Sequence, residues 1–493
     1  EEFNEIWESF RLAHLADRSN APALMEIERL SELMKRLPPP PEQPADEATP
    51  WYINAAKPKE EQPKDLEANT QASIVEIKDV TDDAPAADVG YDVIIVGAGA
   101  AGIGTAFMLS HVFGLDPSRV VLLDRGEAVG ETFRRWPAEM RFISPSFNQQ
   151  GWTNSFDLNS VVYGTSPAFT LHSEHPTGKQ YADYLTELAE AAKLTTMLNT
   201  EVLQVSKAAD GAFDVRVRAA GDEGVAPVET LRSRYVVWAA GEFQYPREGG
   251  CSSGGCAIEG SELCLHNSRV KSWATLPGDD FVLIGGYESG ADAAVNLAKA
   301  GKQATVVAST AAWKQMTSDP SMELAPYTAE RLRQVSVAGF SPVPKLLAPL
   351  RVQRVELAEG GGYNVVATWK AAEAFEEGAW KLRAPLTADG EADGTGGTGA
   401  STEGSELVLH TAQPPVLCTG FEGSVASSAG YLFKLASEDD KEAKGCLAGA
   451  PLLTKEDEST KVPGVFLVGP TVRHGELSFC FIYKFRQRFG VVA

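Results

Sequence analysis

The chain has 493 residues, enough for two or three domains, and 43% of them are hydrophobic, so full globular cores can form. Its formal net charge of −23 argues against nucleic acid or an anionic membrane as a partner, because both require clustered lysine and arginine. No apolar run reaches the roughly 18 residues of a membrane span, and six cysteines are too few for a disulfide scaffold. The opening EEFNEIWESF lacks the start of a secretory signal, so we expect a reducing compartment, the cytoplasm or an organelle matrix.

The N-terminal region is predicted to form a helical arm, residues 1–40, followed by an acidic, proline-rich linker, residues 41–89. Apolar residues recur at spacings of three and four in two short stretches, which favours two helices, and the prolines at 38–41 end them. The simplest role for this arm is docking on the same protein or on a dimer mate. Binding to another partner, within a larger complex, is the alternative.

From Tyr91 onwards the pattern changes to strand, turn, helix and strand. Gly97, Gly99 and Gly102 follow the apolar letters DVIIV and fit the G-x-G-x-x-G pattern of a dinucleotide-binding βαβ unit. In this motif the first glycine permits the tight turn, the second lets a pyrophosphate approach the backbone, and the third lets helix and strand pack closely. Asp124 ends the next strand, at the spacing of roughly 20 residues expected for a ribose-binding acid.

A second glycine-rich turn, GGYESG, follows the apolar strand that begins at Phe281. Tyr287 stands where the second glycine of the motif usually lies. Two interpretations therefore stay open: a working site in which the dinucleotide sits differently, and an inactive site. The residues assigned to this second site are Gly285, Gly286, Tyr287, Glu288 and Ser289, and Gly290 is the third glycine of the motif.

Two such turns in one chain predict two dinucleotides that face each other, and hydride transfer from a nicotinamide to a flavin is the usual reason for this arrangement. After the second turn, no acid marks NAD and no arginine cluster marks a 2′-phosphate. Ser309, Thr310 and Lys314 are able to accept a phosphate, so NADP is favoured over NAD.

These features resemble the two-dinucleotide flavoprotein superfamily, which includes thioredoxin reductases, bacillithiol-disulfide-reductase-like proteins and class B flavin monooxygenases. The resemblance covers about residues 90–493. It is carried by the turns and by the segments GETF (130–133), VVWAAGEF (236–243), CTGF (418–421) and PGVFLVGP (463–470).

The resemblance implies an α/β fold with two Rossmann-like, three-layer ββα domains and an N-terminal helical extension. Residues 90–250 and 409–493 would form the FAD domain, and residues 251–408 would form an inserted NAD(P) domain.

The resemblance also implies non-covalent FAD, with NADP or NAD as the second cofactor, and no metal. Many relatives place an aspartate after the last glycine of the C-terminal segment, whereas this chain has Pro470. The further FAD contacts that the resemblance implies are Ala100, Ala101, Arg125, Glu131, Thr132, Phe133, Val202, Ala240, Gly241, Gly469, Pro470, Ser478 and Phe479.

Three residues are candidates for a catalytic role by analogy with the family. His266 lies in LHNSRVKSW (265–273), which is similar to the end of a flavin-monooxygenase signature and would lie in the hinge between domains. A histidine that caps a local turn is the alternative. Arg473 and His474 would lie near the flavin ring, where either can stabilise negative charge, although structural ion pairing is an equal alternative. Ser144, Ser146 and Asn148 are further polar candidates there.

The leading interpretation is an FAD-dependent NAD(P)H oxidoreductase of the flavin-monooxygenase type, acting on a small-molecule substrate. One alternative is an NAD(P)H-dependent reductase of a disulfide, a quinone or a protein. Residues 125–200 contain no cysteine, and Cys251 and Cys256 differ in spacing from the C-x-x-C of thioredoxin reductases. Those two thiols are more simply incidental in a surface loop. The other alternative is a flavoprotein subunit with an assembly or structural role.

Overall fold

The computed structural model describes residues 89–146, 157–221, 226–249, 257–316, 323–337, 339–370, 381–382, 404–436, 449–475 and 477–493. The predicted helical arm and linker lie outside these ranges, as do Asn148, Cys251 and Cys256. A homodimer or larger complex formed through the arm therefore stays a prediction. None of the helices in the described ranges has the length and apolar character that crossing a membrane requires.

The first large sheet contains the first glycine-rich turn. Its strands are β1 (Tyr91–Val96), β2 (Val120–Leu123), β3 (Thr195–Met197), β4 (Thr200–Lys207), β5 (Phe213–Ala219), β6 (Glu229–Trp238) and β21 (Val465–Leu467). They are ordered β3-β2-β1-β6-β5-β4, and β21 pairs with the other side of β6. Strands β1, β2, β3, β6 and β21 are parallel, whereas β4 and β5 continue the sheet in antiparallel fashion.

Eight α-helices are present in the described residues, numbered here in chain order. They are α1 (Ala100–Phe107), α2 (Glu131–Arg134), α3 (Pro167–Leu171), α4 (Gly178–Ala191), α5 (Glu288–Lys299), α6 (Pro326–Val335), α7 (Ile482–Phe485) and α8 (Phe489–Val492). Helix α1 continues into a π-helical turn, Met108–Val112. Helix α4 begins with a capping box, in which Thr177 and Gln180 each accept a hydrogen bond from the other's backbone N–H.

The apolar letters of β1 are buried because both faces of the sheet are covered. Ile95 shares a buried core with Tyr181 of α4. Its neighbour Ile94 points to the opposite face, as successive strand residues do, and shares a second core with Phe213. The strand is therefore apolar throughout rather than alternating in polarity.

The second large sheet contains the second glycine-rich turn. Its strands are β8 (Leu265–His266), β9 (Asp280–Ile284), β10 (Gln303–Val307), β12 (Lys345–Leu347) and β17 (Val416–Leu417). They are ordered β12-β10-β9-β17-β8, and all of the pairs are parallel. Because β17 pairs with β9, residues up to Leu417 belong to this sheet. This pairing favours a second FAD segment that starts after Leu417, and the start predicted at residue 409 stays a prediction.

A third, antiparallel sheet covers one face of the second. It consists of β13 (Leu350–Leu357), β14 (Tyr363–Trp369) and β16 (Glu406–Thr411). Leu283 of β9 shares a core with Leu297 of α5, while Val282 faces the other way and shares a core with Val365 of β14. The two sheets, each with a parallel part that contains a glycine-rich turn, and their covering layers confirm the predicted three-layer α/β fold.

Four short antiparallel pairs complete the described strands. These are β7 (Tyr245–Pro246) with β18 (Phe421–Glu422), β11 (Gln315–Met316) with β15 (Lys381–Leu382), β19 (Lys434–Leu435) with β20 (Pro451–Leu452), and β22 (Arg473–His474) with β23 (Leu477–Ser478).

Candidate functional site

The first glycine-rich turn joins β1 to α1. Gly97 has a φ of +112°, and a Cβ there would lie 2.5 Å from the carbonyl oxygen of Ala239. At Gly102 a Cβ would lie 1.9 Å from the carbonyl oxygen of Gly97, so the helix approaches this closely only because residue 102 is glycine. At Gly99 φ is −89°, and a Cβ would meet no atom of the described residues within 4 Å. Neither φ nor packing against those residues requires a glycine at 99, and its predicted contact with a pyrophosphate stays a prediction.

Asp124 organises this turn. Its Oδ2 accepts a hydrogen bond of 2.7 Å from the backbone N–H of Ala98, and its Oδ1 accepts one of 2.7 Å from that of Gly126. An ionised carboxylate offers about four acceptor sites, so two remain for other donors. Asp124 therefore fixes the turn and keeps the capacity to accept hydrogen bonds from a ribose. Together with the helix N-terminus, these residues fit the ADP part of FAD.

The residues after Asp124 have contacts of their own within the protein. The guanidinium of Arg125 lies 5.3 Å from the centroid of the Tyr245 ring. Glu131 accepts a hydrogen bond of 2.8 Å from Nε of Arg135, and Thr132 is half-buried beside it. These observations do not test the predicted FAD contacts of Arg125, Glu131 and Thr132, which stay predictions.

Phe133 lies in an aromatic cluster. Its ring centroid is 4.9 Å from that of Tyr181 and 5.6 Å from that of Phe142. This packing supplies a structural reason for the side chain, beside its predicted contact with FAD. Phe142 and Tyr181 are buried, and Phe133 packs against the same core.

The C-terminal segment reaches the first turn. A Cβ at Gly469 would lie 3.3 Å from the Cβ of Ala101, the second residue of α1. The backbone N–H of Val468 donates to the carbonyl oxygen of Trp238, which extends β21 alongside the chain that leads to Ala240 and Gly241. The structure therefore brings together three segments that lie far apart in the sequence: the first turn, the crossover after β6 and the segment around Gly469 and Pro470. Val202 lies apart from them on β4, where it packs against the core of that face.

Glu242 is a residue that the sequence analysis missed. Burial raises the pKa of its carboxyl, while the positive charge of Arg473 and a hydrogen bond with Thr471 oppose that rise. Arg473 also donates from Nη1 to the carbonyl oxygens of Pro470 and Val472. A glutamate directly after the crossover glycine, in an otherwise apolar stretch, was the signal available in the sequence.

His474 contacts a buried ion pair formed by Asp457 and Arg488. Its Nε2 lies 2.5 Å from Oδ1 of Asp457, a residue with no exposed surface. Arg488 donates to the same carboxylate at 2.8 Å, and its guanidinium lies 5.4 Å from the Phe479 ring centroid. Ser478 lies on β23, opposite Arg473. This placement favours the structural alternative for His474, and its catalytic role stays a prediction.

The second turn repeats the backbone of the first. Gly285 has a φ of +110°, and a Cβ there would lie 2.5 Å from the carbonyl oxygen of Cys418. A Cβ at Gly290 would lie 1.9 Å from the carbonyl oxygen of Gly285. Tyr287 has φ −88° and ψ −159°, close to the −89° and −168° of Gly99. The turn is thus formed without a glycine at its second position.

The side chains of the second turn contact the start of α6. The hydroxyl of Tyr287 donates to the carbonyl oxygen of Glu323 at 3.1 Å. Glu288 accepts hydrogen bonds from the backbone N–H of Ala325 and from the hydroxyl of Thr328, the latter at 2.6 Å.

Gly286 and its neighbours complete the second site. A Cβ at Gly286 would lie 2.6 Å from Ala308 and from the Trp313 ring, so Gly286 is needed for packing. Ala308 follows β10 as Asp124 follows β2, which leaves this turn without the carboxylate of the first. Ser289 is half-buried in the first turn of α5, and Ser309 is exposed.

His266 connects the turn that follows β8 with the segment that follows β17. The backbone N–H of Ser268 donates to its Nδ1 at 3.2 Å, so Nδ1 is unprotonated and Nε2–H donates to the carbonyl oxygen of Gly420 at 3.0 Å. Burial lowers the pKa of this imidazole, which keeps it neutral. It caps a local turn, which favours the alternative interpretation, and it joins that turn to the segment that follows β17. Its predicted catalytic role is not tested by these contacts.

The described cysteines do not form a redox pair. Cys264, Cys418 and Cys480 are all free thiols. Burial raises the thiol pKa of Cys264 to about 12 and that of Cys418 to about 12. Such thiols are protonated at neutral pH and are poor nucleophiles.

Comparison with known proteins agrees with this geometry. Residues 94–360 match the family described as pyridine nucleotide-disulphide oxidoreductase. The uncharacterized oxidoreductase CzcO of Bacillus velezensis is 26% identical over 216 residues, which are 42% of this chain and 52% of that protein. The chain thus spans about half the length of the curated relatives that it matches.

Solved structures share the fold. The bacillithiol disulfide reductase Bdr of Bacillus cereus superposes with a TM-score of 0.54 at 17% identity, over 82% of this chain and 97% of that one. The ornithine N-hydroxylase of Kutzneria sp. 744 superposes with a TM-score of 0.54 at 14% identity, over 82% and 97% of the two chains. At these identities the likeness concerns the fold alone. With more than half of its residues inside the family match, the chain belongs to the pyridine nucleotide-disulphide oxidoreductase family, within the two-dinucleotide-binding flavoproteins.

Proposed function

We propose that this protein is an FAD-dependent oxidoreductase of the flavin-monooxygenase type, which takes a hydride from NAD(P)H and uses O2 to oxygenate a small substrate. The observation that carries the proposal is the pair of matching turns. A Cβ added at Gly102 or at Gly290 would lie 1.9 Å from the carbonyl oxygen of the first glycine of its turn, so the two helices pack equally closely. Two nucleotide-binding turns of one geometry suit two dinucleotides, and hydride transfer between them is their usual purpose.

FAD, when bound, supplies the redox chemistry, by accepting a hydride and delivering electrons to O2. The protein's own part is binding and electrostatics. The N-terminus of α1 and the open backbone at Gly99 would hold the pyrophosphate, and Asp124 would hold the ribose. Arg473 supplies a positive charge beside the half-buried Glu242, at the meeting of the first crossover and the C-terminal segment. A positive charge there would stabilise negative charge on a reduced cofactor or a bound anion.

NADPH is the nucleotide that the second turn favours. An acid at the end of β10 would bind the 2′-hydroxyl of NADH and repel the 2′-phosphate of NADPH. This chain has Ala308 there, followed by Ser309 and Thr310. The substrate class that suits such a reaction is a soft nucleophile, an amine or a sulfide, or a carbonyl compound.

A second candidate is a reductase of a quinone, a disulfide or a protein partner, without oxygenation. Its support is the fold shared with the bacillithiol disulfide reductase. The raised pKa of the Cys264 and Cys418 thiols weighs against a disulfide mechanism through them. A quinone or protein acceptor requires no thiol and therefore fits better than a disulfide.

Anaerobic reduction of the purified protein tests both candidates. We expect FAD to be bound, to be reduced faster by NADPH than by NADH, and to be reoxidised in air. Addition of amines, sulfides or ketones should then lower the yield of hydrogen peroxide per NADPH oxidised, because one oxygen atom of O2 goes to the substrate and the other to water. Reduced protein that reacts with a quinone far faster than with O2 would support the reductase instead. Purified protein without FAD, or FAD that neither nucleotide reduces, would contradict both.

A further inference from the structure

The second turn differs from the first in one side chain at the position of closest ligand approach. Gly99 and Tyr287 are the N-caps of α1 and α5, and their backbone angles differ by 1° in φ and by 9° in ψ. At Gly99 the space that a Cβ would enter contains no atom of the described residues within 4 Å. In the nucleotide-binding motif this is the space that the pyrophosphate uses. The same space at the second turn begins with the side chain of Tyr287.

The Tyr287 side chain has a defined position. It is 44% exposed, and its hydroxyl donates to the carbonyl oxygen of Glu323 at 3.1 Å. The acceptor belongs to an anchored segment, because the neighbouring Leu324 is 1% exposed and the N–H of Ala325 donates to Glu288. Glu288 is the first residue of α5, so the segment and the tyrosine are both fixed to the N-terminal end of this helix.

The N-terminal end of α5 is otherwise suited to an anion. The first backbone N–H groups of a helix have no partner within the helix, and the helix dipole favours negative charge there. Position 287 is an N-cap without a side-chain hydrogen bond to the helix, so Tyr287 does not satisfy those donors itself. A pyrophosphate that binds them has to share its approach with the tyrosine ring.

We propose that Tyr287 sets the affinity of the second site for dinucleotides: its side chain, tethered to Glu323, must leave the end of α5 before a pyrophosphate binds there. This inference rests on the proposed function, and it names the residue that controls nucleotide access. The barrier acts on the pyrophosphate and not on the adenosine end. The side chain therefore lowers the affinity of the second site for nucleotides that contain a pyrophosphate, and it leaves the affinity for other nucleotides unchanged.

The test compares wild type with Tyr287→Gly and Tyr287→Phe, each as FAD-loaded protein. Titration calorimetry with NADPH measures the Kd, and adenosine 2′-monophosphate, which has no pyrophosphate, is the matched probe. We expect Tyr287→Gly to tighten NADPH binding by about tenfold, the effect of removing one hydrogen bond and the ring. Tyr287→Phe, which loses the tether but keeps the ring, should tighten it by about threefold. The Kd of adenosine 2′-monophosphate should change by less than twofold in either variant.

Glycine is well tolerated at N-cap positions, so Tyr287→Gly should fold, and its FAD content and Tm check this. An unchanged or weaker NADPH affinity in Tyr287→Gly would overturn the inference. Equal tightening for both probes would also overturn it, because a general change in the domain would then be the cause. Tighter NADPH binding without reduction of FAD in any variant would support the role of Tyr287 and contradict the proposed function, so the two failures are distinguishable.

Discussion

The two glycine-rich turns are copies in their backbone and differ in their ligand-facing residues. In the first, the N–H of Gly97 donates to the carbonyl oxygen of Leu123 at 2.7 Å, and in the second, that of Gly285 donates to Val307 at 2.9 Å. The positions proposed to meet a ligand differ, with Tyr287 in the place of Gly99 and Ala308 in the place of Asp124. The comparison teaches that close packing of strand and helix is compatible with different residues at these positions.

The helices that follow the turns are covered in different ways. A Cβ at Gly104 of α1 would lie 2.1 Å from the ring of Phe489, so α8 packs directly on this glycine. The corresponding residue of α5 is Asp292, which pairs with Arg331 of α6. An apolar contact therefore covers α1, whereas a buried ion pair joins α5 to α6.

We expect the largest effect from replacing the third glycine of either turn with alanine, and the two replacements should have different consequences. Gly102→Ala places a methyl group 1.9 Å from the carbonyl oxygen of Gly97, so we expect loss of bound FAD and an unfolding free energy lower by about 1–3 kcal/mol or more. Gly290→Ala creates the same clash against Gly285, and we expect it to keep FAD but to lose reduction by NADPH. Flavin absorbance per polypeptide and anaerobic reduction rates measure both. Loss of FAD from Gly290→Ala as complete as from Gly102→Ala would mean that the two turns do not act separately.

Removing one half of the ion pair on α5 should affect the stability of the fold rather than a cofactor site. The Arg331 and Asp292 side chains are 9% and 10% exposed, and Arg331 also donates to Asn296. Asp292→Asn leaves the guanidinium buried without a countercharge, so we expect the free energy of unfolding to fall by about 3–5 kcal/mol.

Urea denaturation measures this loss, and the first domain offers a matched control. Asp183 pairs with Arg134 at 2.9 Å, but its side chain is 39% exposed. Asp183→Asn should lower the free energy of unfolding by no more than about 1 kcal/mol. If both variants lose the same amount, burial is not what distinguishes the two pairs.

Asp124→Asn tests the ribose contact of the first turn. An amide keeps the size but loses the charge, and its NH2 group would face an N–H donor of the turn. We expect the Kd for FAD to rise by about 10- to 100-fold, the equivalent of one charged hydrogen bond.

The converse variant, Ala308→Asp, should favour NADH over NADPH, because it adds a ribose-binding acid to the second turn. Equilibrium dialysis of FAD and the ratio of the two reduction rates measure these changes; an unaltered FAD affinity in Asp124→Asn would remove this carboxylate from the site.

The smallest expected effect concerns the thiols. Because burial raises the pKa of Cys264 and of Cys418 to about 12, their thiolates form only as the pH rises towards that value. Alkylation of Cys264 and Cys418 in the native protein should therefore be slow at pH 8 and should increase by about tenfold per pH unit above it. Cys264→Ser and Cys418→Ser should keep their turnover within twofold. A variant that retains FAD but loses turnover would favour the disulfide reductase.

Much of the fold could be predicted from local patterns, and His266 marks where that ended. The segment VGAGAAG predicts a turn and a helix because φ and close approach are properties of a few adjacent residues. For His266 the sequence left a hinge role and a turn cap open. Its partner Gly420 is 154 residues away, and that distance conceals the contact. The pairing of β17 with β9 was hidden for the same reason, because strand pairing is not a local property.

The sequence by itself determined the two turns, the parallel sheets that contain them and Asp124, because each is encoded by neighbouring residues with fixed steric demands. The tertiary structure alone decided what surrounds the site. Glu242 meets Arg473, Asp457 holds His474, and Tyr287 reaches Glu323 only after the chain has folded. Burial and charge at these places depend on elements that are distant along the chain, so no local pattern predicts them.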